Sequence, residues 1–186
     1  MDMVDENHLQ GHASVFNQLA PICGEYEEIA PTAFDQVLQR GEDIRFLYNH
    51  DPDNLLGRTQ SGTLQVSVDD TGLAIDCELP DTTLGRDLRV LVKRRDLTGF
   101  SFGFMPDEGT DTYGRAKDGK RIRRRNNFLR VVDTSIVTFP AYDGANDAIL
   151  RSESGMLMFR HDKVVSSNRS RLILARAASR HKKGKL

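Results

Sequence analysis

LQVSVDDTGLAIDCEL, residues 64–79, decides the fold class. Leu64, Val66 and Val68 alternate with Gln65 and Ser67; after Asp69-Asp70-Thr71-Gly72, Leu73, Ile75, Cys77 and Leu79 resume the alternation. A period of two puts every second side chain on one face, as a half-buried strand requires. The Asp, Thr and Gly between the two runs supply turn chemistry. The stretch reads as an antiparallel hairpin with one dry face.

Toward the N-terminus, residues 55–59 form a short strand, and Asp51-Pro52-Asp53-Asn54 is a turn by composition. Residues 44–49 are an apolar strand that ends on His50. Ala33, Phe34, Val37 and Leu38 recur at helical spacing between Pro31 and Gly41, which gives a short helix over 33–39. Residues 9–16 and 24–29 read as strands. Toward the C-terminus the period changes: Leu84, Leu88 and Leu91 fall at i, i+4 and i+7, behind the capping residues Asp81, Thr82 and Thr83. This helix runs to about Arg95. Residues 99–104 return to strand chemistry, 106–120 read as a polar loop, 121–125 as a charge run, and 128–139 as the longest strand, closed by a turn over 140–144. Many short strands with two interposed helices predict a mainly β, α+β fold, an antiparallel barrel or sandwich, over residues 1–151.

Charge is uneven along the chain. The formal net charge is −1, yet the first part is rich in Asp and Glu and residues 151–186 are strongly basic. Residues 152–186 are expected to be a basic tail, either bound to an acidic partner or simply solvated. The two cysteines, Cys23 and Cys77, have no metal-ligand spacing and fit a reducing compartment. The acidic start MDMVDENHLQ is unlike a signal peptide, and no apolar run spans a membrane, so a cytoplasmic protein is expected. No phosphate-binding loop, zinc spacing or isolated carboxylate pair is present.

Few groups remain for catalysis. Ser101 lies in Gly99-Phe100-Ser101-Phe102-Gly103-Phe104, where inward phenylalanines would turn Ser101 and Gly103 to the opposite face. A serine nucleophile needs a base, and the base needs an orienting group. His50 is the stronger candidate base and His12 a weaker rival. Asp133 interrupts the apolar strand Val131-Val132-Asp133-Thr134-Ser135-Ile136-Val137, a costly place for a carboxylate without a partner. That partner is either His50 or an arginine, Arg58 or Arg130. His161 is the other candidate for the third group.

These segments fall into a familiar order. The chain resembles the HK97-type prohead (capsid-maturation) serine proteases of tailed bacteriophages. The likeness runs from Gly11-His12-Ala13-Ser14 through Tyr26-Glu27-Glu28-Ile29, Leu47-Tyr48-Asn49-His50-Asp51, Leu56-Gly57-Arg58-Thr59 and Leu79-Pro80-Asp81-Thr82-Thr83. It continues with the Ser101 block and with Val132-Asp133-Thr134-Ser135-Ile136-Val137-Thr138-Phe139-Pro140-Ala141-Tyr142. The resemblance implies an antiparallel assemblin-like β-barrel ringed by a few helices. It implies a serine endopeptidase with His50 and Ser101 as base and nucleophile, no cofactor, and action inside the immature prohead in the bacterial host. The implied substrates are scaffold, or a scaffold-like extension of the major capsid protein, and the protease itself. The implied partners are the major capsid protein and scaffold, the portal, and further copies of the chain as a dimer or higher homo-oligomer, with no membrane. Two positions depart from the family: Thr32 replaces a usual Gly, and Asp133 stands where Glu is more common, so a shorter side chain must come closer to His50. Assemblin-like enzymes use a second His as orienter. The rival readings are an inactive barrel that acts as a capsid scaffold or assembly protein, and a nucleic-acid-binding module using residues 121–125 and the tail.

Overall fold

The computed structural model describes residues 7–142 and 149–151. The expected basic tail, with His161, lies outside the described residues.

Twelve strands and two helices occur among the described residues: β1 His8–Val15, β2 Ala20–Ile22, β3 Glu25–Ile29, α1 Asp35–Gln39, β4 Arg45–Tyr48, β5 Asp51–Arg58, β6 Leu64–Val68, β7 Gly72–Glu78, α2 Thr83–Lys93, β8 Gly99–Pro106, β9 Thr112–Arg115, β10 Arg121–Arg125, β11 Phe128–Val137 and β12 Ile149–Arg151. They form three four-stranded sheets, ordered β12-β1-β7-β6, β2-β3-β10-β9 and β5-β4-β11-β8. The fold is mainly β with two helices, of the α+β class.

The hairpin read from residues 64–79 is β6–β7, paired Val68 to Leu73 through Leu64 to Cys77. Asp69 builds its turn, accepting the backbone N–H groups of Thr71 and Gly72. On the other edge of β7, β1 runs so close that a Cβ on Gly72 would stand 1.8 Å from the Ser14 carbonyl oxygen, so only glycine fits there. Helix α2 begins as expected: the Thr82 hydroxyl accepts the Gly85 N–H, and Gly85, Leu88 and Val92 form the buried stripe. The sheets share one core whose centre is aromatic. Phe34, Phe102 and Phe104 all contact the Phe128 ring, and Phe102 also contacts Phe34 and Phe104, with centroids 4.6–5.5 Å apart.

Two expectations change. Residues 106–120 contain β9, which forms a hairpin with β10. The charge run itself is strand β10, paired in parallel with β3 so that Arg124 faces Glu28. Arg121 binds Glu25, Arg124 binds Glu28, and Arg125 reaches Glu27 at 2.7 Å and Asp111 at 2.8 Å. Arg121, Arg124 and Arg125 are thus each paired with carboxylates of β3 or of the segment before β9. Arg125 and Glu27 are almost fully buried, and the Tyr142 hydroxyl donates to Glu27. Burial pushes the Tyr142 hydroxyl above its usual range and Asp111 above the usual carboxylate value, in the latter case against the pull of Arg125 and Arg123.

Candidate active site

The sheet β5-β4-β11-β8 carries the three residues singled out from sequence. On β8, Phe100 and Phe102 enter the core and Phe104 packs against it. Ser101 and Gly103 therefore project from the opposite face, as their spacing predicts. Across the ladder, Ser101 pairs with Ser135 and Gly103 with Asp133. All four side-chain positions share one face.

A β-bulge puts Asp133 there. Along β11, Val131 opposes Phe104 and Asp133 opposes Gly103, so Val132 is the extra residue. Strict alternation would turn Asp133 to the same side as Val131, which is fully buried in the core. The bulge resets the phase. Val132 goes to solvent, Thr134 and Ile136 turn into the core, and Asp133 and Ser135 emerge on the Ser101 face.

His50 arrives from the other side. The chain reverses between Tyr48 and Asp51, which are paired, through Asn49 and His50 alone. Both have positive φ, 55° and 57°, as a two-residue turn of the I′ kind requires. The expected turn over Asp51–Asn54 survives only as a local irregularity inside β5, where the Asp51 carboxylate accepts the Asp53 N–H and an Asn54 N–H. Asn49 pins the turn to the end of β11: its N–H donates to the Ile136 carbonyl and its Oδ1 accepts the Thr138 N–H, both at 2.9 Å.

So held, the His50 ring lies over β11. Its Nδ1 is 2.6 Å from Asp133 Oδ1. An ionised carboxylate only accepts, so the proton of neutral His50 sits on Nδ1 and the Nε2 lone pair is bare. Among the described residues Nε2 has no hydrogen-bond partner, and neither has the Ser101 hydroxyl. The ring is about a third exposed, whereas the Asp133 side chain is 10 % exposed and Ser101 7 %. Asp133 thus bonds His50 rather than Arg58 or Arg130. Arg58 is bound to Asp43. The shorter carboxylate reaches the imidazole because the backbone beneath it carries no side chain. A Cβ on Gly103 would stand 2.2 Å from Asp133 Oδ2.

Other candidates lie apart. His12 is bound to Asp69 at the β6–β7 turn, 2.9 Å away. Both cysteines are free thiols, Cys23 exposed and Cys77 buried. Among the described residues no group of three His, Cys, Asp or Glu side chains could hold a metal ion, and no helix is long and apolar enough to cross a membrane. Two clefts of about 500 and 380 Å³ lie elsewhere, one between α1 and β6 and one beside α2. One participant escaped the sequence reading. Ser135 Oγ donates to Asp133 Oδ1 at 2.7 Å and accepts the His50 backbone N–H at 3.3 Å. Its signal was the i, i+2 spacing from Asp133, which places both on one face of a strand.

Comparison with curated proteins and with solved structures gives no match. Comparison with family models gives one, described as Caudovirus prohead serine protease, over residues 2–159.

Proposed function

Since the chain belongs to the caudovirus prohead serine protease family, the enzymes of phage capsid maturation, we propose that Ser101, His50 and Asp133 are its nucleophile, base and orienting acid. The observation that carries this reading is the 2.6 Å contact between His50 Nδ1 and Asp133 Oδ1 on the sheet face that also presents Ser101.

In this mechanism His50 Nε2 takes the Ser101 proton as Oγ attacks the scissile carbonyl carbon. Asp133 fixes the tautomer and stabilises the imidazolium that forms. The protonated ring then gives its proton to the leaving amine as the C–N bond breaks. Water, deprotonated by His50, attacks the resulting ester, and the acid product leaves with Ser101 restored.

The substrates in this reading are scaffold or a scaffold-like extension of the major capsid protein, and the protease itself. Portal contact, a homo-oligomer, and action within the prohead in the host cytoplasm belong to the same proposal. So do a protease domain over 1–151 and a separate tail. The assemblin-like barrel is its architectural part, supported by three sheets around one core and by the packing of β1 beside β8.

Co-expression with the capsid and scaffold proteins tests the reading, with new N-termini identified by mass spectrometry. Ser101→Ala and His50→Ala should each abolish scaffold cleavage and self-cleavage while leaving the protein folded. Parental processing by either variant would sink the assignment. A parental protein whose Ser101 never reacts with a fluorophosphonate would point instead to an inactive assembly protein.

A further inference from the structure

We infer that Ser135 is a positioning residue of this site, acting on Ser101 through Asp133 and His50; the inference rests on the catalytic reading above. Ser135 is fully buried. It stands directly across the ladder from Ser101, yet its hydroxyl points along its own strand to Asp133. Three contacts converge on that one oxygen: it donates to Asp133 Oδ1 at 2.7 Å, accepts the His50 N–H at 3.3 Å, and lies 3.3 Å from His50 Nδ1.

The geometry separates Ser135 from the nucleophile. A serine to be deprotonated must face the bare ring nitrogen, which is Nε2. Ser135 is on the Nδ1 side, where the ring carries its proton, and its own hydrogen is committed to the carboxylate. It cannot be activated there. What it does is fix Asp133 Oδ1 as a single acceptor point, held by a hydroxyl on one side and an imidazole N–H on the other. It also ties the backbone of the two-residue turn to the strand that carries the acid. A buried carboxylate with too few donors is costly, and among the described residues this hydroxyl and the imidazole are its hydrogen-bond partners. Ser135 therefore sets both where Asp133 points and where His50 starts.

The rate at which a fluorophosphonate labels Ser101 in the full-length protein reports the activated nucleophile without a peptide substrate. The His50 Nδ1–H proton resonance reports the Asp133 contact. Ser135→Ala is expected to slow labelling roughly tenfold, the size of one charge-assisted hydrogen bond, and to displace that resonance. Ser135→Thr keeps the hydroxyl and is expected to recover both. If the alanine variant does not fold, Ser135→Cys, close in size and a weak donor, carries the same comparison. Labelling at the parental rate with the resonance in place overturns the role of Ser135, as does a threonine variant no better than the alanine or cysteine one. Failure of the catalytic reading looks different. There the parental protein is not labelled at Ser101, or His50→Ala labels as fast as the parent, or the adduct maps to Ser135.

Discussion

Gly103 leaves the space that Asp133 occupies: a Cβ there would stand 2.2 Å from Oδ2 and 3.2 Å from Cγ of the carboxylate. Gly103→Ala must therefore push the carboxylate away from His50 or shift β8 against β11. The expected outcome is a large loss of Ser101 labelling with a modest loss of stability. In an Asp133→Ala background the same change should cost little more, since the group it displaces is gone. Additive losses in that cycle would contradict the coupling.

Asp133→Asn removes the charge and keeps the shape. An amide can present its N–H₂ to the ring and select the wrong tautomer, leaving the proton on Nε2. Labelling and peptide hydrolysis should fall by about 10³–10⁴-fold, with thermal unfolding close to parental. A loss below about tenfold would mean that Asp133 is a structural partner of His50 and no more.

Arg125 is nearly buried between Glu27 and Asp111 and stacks over Phe104, 5.5 Å from the ring centre. Arg125→Met strands two carboxylates and should destabilise the protein by about 3–5 kcal/mol in urea unfolding. Adding Glu27→Gln should recover part of that. If the single variant is as stable as the parent, the network contributes nothing to the fold.

Acid should weaken the fold through carboxylates at its surface. Hydrogen bonds from Arg58 and Arg121 hold Asp43 and Glu25 below the usual carboxylate range. A depressed folded pKa adds stability above the ordinary value, and that stability is lost as pH falls through the depressed one. The unfolding temperature should therefore drop below about pH 4, and less steeply in Asp43→Asn. Asp111, raised by burial, works in the opposite direction. Parallel curves for the parent and Asp43→Asn would remove Asp43 as a cause.

Much of this was legible in the residues. Alternation in 64–79 announced the β6–β7 hairpin, the leucine spacing announced α2, and the phenylalanines of β8 turned Ser101 outward, all because those elements have a strict period. The losses came where the period breaks. Alternation counted from Val131 sends Asp133 inward, and only the Val132 bulge, a property of pairing with β8, turns it out. Asp51-Pro52-Asp53-Asn54 has better turn composition than Asn49-His50, but the reversal went to the pair that β11 could pin. The charge run gave no sign of being a strand, because its pairing depends on carboxylates about a hundred positions away.

The order of the sheet has a bearing on when the protein can act. β11 lies between β4 and β8, yet of the four strands it is the last along the chain. Before residue 137 has left the ribosome, the hairpin bearing His50 and the strand bearing Ser101 have no common neighbour, and Asp133 itself arrives late. The site is thus withheld from a half-made chain by topology alone. For an enzyme whose own polypeptide is among its proposed substrates, that is a built-in delay during synthesis, one that needs no inhibitor and no separate leader segment.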